Sequence, residues 1–296
     1  MGKINWKWIV IFIVIAIIII AVILLVAKNK KIITTSTTSP VQIGAQRVSD
    51  YPITNPVWLT NETQKIAFLN DNRLEILDIK TNEIFRPVYP QDEDNFILVD
   101  LKSLNNERYI GDQRENLLTN QQNYEIFDLK EKKPLGILDK NIKDLGLIAN
   151  NKLYYLYPKG SDNWDIVQSD LDGKNWQMIL SIKIKEPNLV PINESTIGYY
   201  SSTTDKIYLV DINKKGQSTV NLGGQFEAKN IIFTNGQIGI VKDKKITLLN
   251  LSGQTVKTLI LPDSFPNNVT NFMLTKDYKT LYFTADDFLY KLSLPN

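Results

Sequence analysis

The 296-residue sequence contains no cysteine and no histidine. Without cysteine there is no disulfide, no thiolate nucleophile and no cysteine-ligated metal. Without histidine, Ser-His-Asp and Cys-His catalysis are excluded, and so are histidine-ligated zinc, iron and copper sites. Chemistry at the side chains of this protein must therefore use carboxylates, tyrosine, lysine or a hard metal ion.

Positive charge is not in excess outside the N-terminus. Of the 34 basic residues, five flank an apolar N-terminal segment, which leaves 29 basic against 32 acidic residues for the rest of the chain. Nucleic-acid-binding domains carry a concentrated basic patch or stripe. We therefore expect no nucleic-acid partner.

The N-terminal segment is an uninterrupted run of 19 apolar residues, Ile9 to Ala27. At about 1.5 Å per residue, a helix of this length spans close to the roughly 30 Å hydrocarbon core of a bilayer. Trp6 and Trp8 flank it, as interfacial anchors do. The alternative, a cleaved signal peptide, has an apolar region of only about 7 to 15 residues. We predict a transmembrane helix over about residues 9–27, within a membrane anchor that covers residues 1–31.

Residues 32–40 read as a linker. Thr34 to Ser39 is unbroken threonine and serine, followed by Pro40, a composition that stays extended and solvated. Lysines stand at both ends of the apolar run, so the positive-inside rule gives no orientation. We interpret the linker as a stalk. It favours a single-pass membrane protein with its main domain outside the cytoplasm.

The rest of the chain is repetitive. An alternating apolar stretch that closes on a polar residue and one more aliphatic residue recurs six times, with spacings of 50, 42, 41, 39 and 43 residues. The polar positions are Asp78, Asp128, Asp170, Asp211, Asn250 and Ser293. We expect these side chains to cap turns. A period near forty with strand-like alternation indicates the blades of a β-propeller.

Each repeat contains four strand-like stretches, so the sequence predicts an all-β propeller of six four-stranded antiparallel blades. A seventh blade would be possible if the long second repeat, with its insertion at Ser103 to Asn123, contained an extra strand pair. The last repeat stops after its third strand. We predict that Val41 to Val48 supplies the missing outer strand, so that residues 41–296 form the propeller.

Three segments resemble the blade motif of TolB-like and WD40-like bacterial propellers. They are WLTNETQKIAF at Trp58 to Phe68, SDLDGKNWQMIL at Ser169 to Leu180 and LTKDYKTLYF at Leu274 to Phe283. The resemblance runs from about Pro52 to the end of the chain. It implies blade geometry and no particular activity.

Propellers bind ligands mainly on the face formed by the connections between blades and by the turns between second and third strands. Acidic side chains on that predicted face could hold Ca²⁺ or act as catalytic carboxylates. The alternative for them is a solvated acidic loop. These candidates are Asp92, Glu93, Asp94, Asp286 and Asp287.

Trp164 follows a polar stretch, Lys159 to Asn163. An exposed tryptophan there would suit a peptide or a sugar. It would equally suit packing over the edge of its own blade. We assign no catalytic residue, no metal ligand and no cofactor.

The sequence thus favours a membrane-anchored propeller that acts as a non-catalytic binding or scaffolding module for an envelope protein or glycan. The rival hypothesis is a carboxylate-based glycan hydrolase or lyase. A glycosidase would need two carboxyl groups about 5 to 10 Å apart, one with a raised pKa.

Overall fold

The computed structural model describes residues 44–59, 65–87, 96–139, 141–234, 236–266 and 269–294. The predicted membrane helix, the linker and the first three residues of the predicted closing strand lie outside these ranges. Among the described residues, no helix has the length and apolar character needed to span a membrane.

The described residues form six antiparallel sheets of four strands each. The six-bladed propeller predicted from the repeats is therefore confirmed. In blade 1 the strands are β2 (Thr54–Trp58), β3 (Lys65–Asn70), β4 (Arg73–Asp78) and β5 (Glu83–Phe85). In blade 2 they are β6 (Phe96–Lys102), β7 (Tyr109–Asn116), β8 (Gln122–Asp128) and β9 (Lys133–Ile137). In blade 3 they are β10 (Asp144–Ala149), β11 (Lys152–Gly160), β12 (Asn163–Ser169) and β13 (Gln177–Lys183).

The second half of the ring repeats this order. In blade 4 the strands are β14 (Pro187–Asn193), β15 (Thr196–Ser201), β16 (Thr203–Asp211) and β17 (Gly216–Glu227). In blade 5 they are β18 (Ile231–Thr234), β19 (Gln237–Lys242), β20 (Lys245–Leu249) and β21 (Thr255–Ile260). Blade 6 contains β22 (Thr270–Leu274), β23 (Thr280–Ala285), β24 (Phe288–Ser293) and β1 (Ala45–Arg47).

The recurrent polar residues hold the turns between third and fourth strands. The Asp78 carboxylate accepts hydrogen bonds from the backbone N–H groups of Lys80 and Thr81 at 3.0 and 3.3 Å. Asp128, Asp211 and Asn250 accept equivalent bonds from the residues that follow them. Their capping role is thus confirmed in four of the six repeats, and it explains why an acid or an amide recurs at this position.

The core consists of apolar clusters between neighbouring blades. Phe127 of blade 2 packs with Ile76 of blade 1, and Leu189 of blade 4 packs with Leu156 of blade 3. The ring is completed by Phe68 of blade 1, which packs in one cluster with Tyr282 of blade 6. Each blade therefore contributes apolar side chains to both of its neighbours.

The last blade takes its outer strand from the N-terminal side of the chain. β1 pairs with β24 in antiparallel register, with Ala45 opposite Leu292. Beyond the strand, the Val48 N–H donates to the Leu289 carbonyl at 2.8 Å. The Leu289 N–H in turn donates to the Ser49 hydroxyl at 3.1 Å. The first and last described strands of the chain thus pair within one sheet, that of blade 6.

The described part of the long second repeat, which excludes residues 88–95, holds no extra strand pair. Its apparent insertion, residues 103–123, contains the loop between β6 and β7, strand β7 itself and the turn that joins β7 to β8. The Asn116 side chain caps this turn by accepting from the N–H groups of Leu118 and Thr119 at 2.9 and 3.1 Å. A longer loop and turn within the blade therefore contribute to the 50-residue spacing.

Deleting residues 1–48 should lower the melting temperature by on the order of 10 °C relative to a deletion of residues 1–31. The longer deletion removes β1 and leaves β24 as an unpaired edge, which also invites association. Thermal unfolding followed by circular dichroism measures the difference. Equal melting temperatures would refute the role of β1 in closing the ring.

Candidate functional site

Two of the predicted site residues, Asp286 and Asp287, form the turn between β23 and β24. Both have positive φ angles, 49° and 63°, and both side chains are exposed. The Asp287 carbonyl accepts a hydrogen bond from the Ile53 N–H at 2.6 Å, which ties this turn to the connection between β1 and β2. The remaining acidic candidates lie outside the described residues: Asp92, Glu93 and Asp94.

Trp164 lies within β12 and is half-buried. Its indole N–H donates to the Ile184 carbonyl at 2.9 Å, and its ring packs against the core between blades 3 and 4. The polar stretch before it is the end of β11 and a tight turn, where the sequence suggested a loop. The structure places Trp164 in blade 3 and the Asp286 turn in blade 6, on opposite sides of the ring.

A more exposed tryptophan lies elsewhere on blade 3. The Trp176 side chain is 66% exposed, and its ring is nearly parallel to that of Tyr157, at 9° with centroids 6.4 Å apart. Met178, two residues on, is 45% exposed. The sequence carried a signal for this surface, since Trp176 and Met178 alternate with polar residues at the start of an outer strand.

The inner strands bring together a lysine and two carboxylates. The Lys102 ammonium of β6 lies 3.1 Å from a carboxylate oxygen of Asp144 on β10 and 3.6 Å from one of Asp100 on β6. Asp144 also accepts from the N–H groups of Leu145 at 3.0 Å and of Leu189, on β14, at 2.8 Å. This central cluster, Asp100, Lys102 and Asp144, therefore links the inner strands of blades 2, 3 and 4.

The chemistry of the central cluster follows from its charges. Burial alone would lower the pKa of Lys102, but the neighbouring Asp144 and Asp100 carboxylates raise it well above its ordinary value. Lys102 stays protonated and is not a nucleophile. Burial raises the pKa of Asp100 despite the nearby ammonium. The carboxylate of Asp144 already has three partners, so the cluster is suited to holding blades together.

A second set of charges is buried inside blade 2. Arg114 lies 2.7 Å from Glu125 and 3.4 Å from Asp112, and all three side chains are at most 5% exposed. Such buried pairs hold a fixed geometry. Across the described ranges, no three acidic side chains are grouped closely enough to hold a metal ion.

A cleft of about 870 Å³ lies between the outer parts of blades 1 and 2. On blade 1 it is bounded by Ile76, Asp78, Glu83 and Phe85. Cross-strand partners share a face of a sheet, and the register pairs Ile76 with Phe85 and Asp78 with Glu83. The cleft therefore exposes the side of blade 1 that faces blade 2. Among the described residues, blade 2 leaves the outer edge of that side uncovered.

The opposite wall of the cleft comes from loops of blade 2. It includes Glu107, Arg108, Leu129 and Lys130, which lie in connections between first and second or third and fourth strands. The cleft is thus at the opposite face of the ring from the one predicted to bind. Arg108 is fixed there by hydrogen bonds of 2.6 to 3.1 Å to the buried Asp128 carboxylate.

The cleft combines an apolar floor with a rim of both charges. Leu59 and Ile76 are buried at its base, and Ile84 and Leu129 are partly exposed. The charged residues of the rim are Lys65, Asp78, Glu83, Glu107, Arg108 and Lys130. A site with these properties suits a ligand that has an apolar anchor flanked by polar groups.

No protein-family model matches the sequence, and no curated protein matches it either. Solved structures match in fold. A gluconolactonase from Xanthomonas campestris gives a TM-score of 0.54 at 11% identity, over 85% of this chain and 89% of that one. A calcium-binding protein, regucalcin from Agrobacterium tumefaciens, gives a TM-score of 0.50 at 12% identity, over 85% of this chain and 94% of that one.

A prolyl endopeptidase gives a TM-score of 0.51 at 10% identity, over 82% of this chain. The chain spans about half the length of that protein, 47%. At such low identities the similarity shows the propeller fold alone, and the activities of these proteins do not carry over.

Replacing Lys102 by methionine should destabilise the propeller by about 2 to 3 kcal/mol at pH 7. This destabilisation is smaller than that expected from breaking a fully buried ion pair, because Lys102 keeps some contact with solvent. The substitution leaves Asp100 and Asp144 without their shared cation and raises the pKa of Asp100 further. A raised carboxyl pKa favours the folded state at low pH, and that contribution is lost as the pH rises through the folded pKa.

The difference between wild type and Lys102→Met should therefore shrink between about pH 7 and pH 4. Urea unfolding at both pH values measures it. Lys183→Met, an exposed lysine on β13, is the matched control and should change stability little at either pH. A loss in Lys102→Met that is the same at both pH values would contradict the assigned interaction.

Proposed function

We propose that the protein is a membrane-anchored propeller that binds a partner protein of the cell envelope without catalysis. The observation that supports this most is the cleft between blades 1 and 2, with its apolar floor and rim of both charges. Such a surface fits an extended polypeptide segment that places an apolar side chain on Ile76 and Phe85 and pairs its own charges with the rim.

The outer strand of blade 1 adds a second means of recognition. β5 has only three residues, and within the described ranges it pairs only with β4, so it is the edge strand of the described sheet. An extended peptide can hydrogen-bond to such an edge, and pockets beside the strand then select its side chains. Phe85, at 37% exposure, would be the main apolar contact.

The anchor and the orientation form part of the same proposal. The 19-residue apolar run supports a single membrane-spanning helix, and the threonine- and serine-rich linker supports a stalk that holds the propeller outside the cytoplasm. The bilayer is then the first partner, and an envelope protein is the second.

The rival function is a carboxylate-based hydrolase or lyase. Its best described candidates are Asp100 and Asp144, both within 3.6 Å of the Lys102 ammonium. The raised pKa of Asp100 is the property that favours this alternative. Against it, the Asp144 side chain is only 6% exposed, and the pair lies on the inner strands, away from the cleft.

A crosslinking pull-down from intact cells tests the binding function. The full-length protein is treated with an amine-reactive crosslinker that does not cross membranes, and wild type is compared with Phe85→Glu. The control is Ile260→Glu, since Ile260 is 55% exposed on the outer strand of blade 5. We expect a partner that is captured by wild type and by the control and is lost in Phe85→Glu.

A third variant, Trp164→Ala with Asp92→Ala and Asp94→Ala, tests the face predicted from the sequence. Loss of the partner in this variant, with retention in Phe85→Glu, would move the site away from the cleft. Capture only with a membrane-permeant crosslinker would contradict the proposed orientation. No partner with either reagent would shift the balance to the enzyme.

A further inference from the structure

The outer surface of blade 3 carries an aromatic pair that the proposed cleft does not use. Trp176 precedes β13 and is 66% exposed, and Tyr157 on β11 is half-buried. Their rings are parallel to within 9°, and their centroids are 6.4 Å apart. This separation lies within the range of roughly 4.5 to 7 Å that is typical of offset-stacked aromatic pairs, so the two rings are stacked with an offset, and most of the Trp176 side chain stays exposed.

Tyr157 is the anchored member of the aromatic pair. Tyr157 packs against the core between blades 2 and 3, and its hydroxyl accepts from the Asn141 amide at 3.4 Å. Along the strand, Met178 extends the apolar surface beyond Trp176. A rigid aromatic residue loses little conformational freedom when it binds, which favours it as a contact residue.

The charged side chains just before Trp176 in the sequence are paired. Lys174 forms a salt bridge with Asp172 at 2.8 Å, and Lys152 forms one with Asp170. The exposed amides nearby belong to Asn141, Asn175 and Gln177. Amides donate and accept hydrogen bonds without adding charge. The surface thus favours an uncharged ligand that has a flat apolar face and many hydroxyl groups.

We propose that Tyr157 and Trp176 form a binding platform for an uncharged glycan chain. A pyranose ring with equatorial substituents presents a flat face of C–H groups, which packs on the electron-rich face of an aromatic ring. Its hydroxyls point sideways, toward the amides. This site is separate from the cleft, and it depends on neither the cleft nor the partner proposed for it.

The full-length protein in detergent is titrated with chitohexaose and with cellohexaose by calorimetry. We expect at least one sugar to bind with a dissociation constant of roughly millimolar or lower. Trp176→Ala should weaken this binding about 10-fold or more, and Trp176→Phe should keep most of it, because it keeps an aromatic face. Ile260→Ala, at an equally apolar exposed position of blade 5, should bind as wild type does.

Circular dichroism establishes that each variant is folded. Equal sugar affinity in wild type and Trp176→Ala would overturn the platform, and so would the absence of binding by both sugars. A proline-rich peptide serves as the competing probe. If it binds through Trp176 and neither sugar does, the surface recognises protein and the glycan proposal is wrong.

Discussion

The pairing of β1 with β24 is the constraint on which the rest of the structure depends. Without β1, blade 6 would have only three strands and would leave β24 as an unpaired edge. The N-terminal strand supplies the fourth strand and so completes the last blade of the ring. In the closed ring, Phe68 of blade 1 and Tyr282 of blade 6 belong to the same buried apolar cluster. Closure also holds the six inner strands around one axis, which is why Asp144 of blade 3 can reach Lys102 of blade 2 and the Leu189 N–H of blade 4 at the same time.

The polar residues of the inner and outer strands have different surroundings in the closed ring. Those on the inner strands meet one another and become mutually satisfied, as in the central cluster, where a shared lysine separates two acids. Those on the outer strands face solvent or the incompletely covered side of a neighbouring blade. Blade 1 has an outer strand of only three residues, and blade 2 covers only part of it, so a cleft opens there. Our functional proposals therefore lie at the outer edge of the ring, where side chains remain available to a partner.

The blades were predictable from the sequence because two local patterns recur along the chain. Alternation at period two gives the strands, and a turn-capping residue such as Asp78 or Asp128 marks the end of the third strand in four of the six blades. The candidate surfaces were much less predictable. Trp164 and Trp176 both have polar neighbours in the sequence. In the structure, Trp164 is partly buried against the core between blades 3 and 4, whereas Trp176 is exposed. That outcome depends on how two repeats pack, which strand periodicity does not encode. The contact between Lys102 and Asp144 likewise joins residues of different repeats.

The central claim is that the partner binds in the cleft, outside the ring. The most direct measurement places a photo-reactive amino acid at position 85 of the full-length protein in intact cells, and at position 164 in a parallel strain. The account predicts an adduct with a single envelope protein from position 85 and none from position 164. Trp164 lies on another blade and is partly buried against the core between blades 3 and 4. An adduct from position 164 alone would contradict it and would return the binding site to the face that the sequence suggested.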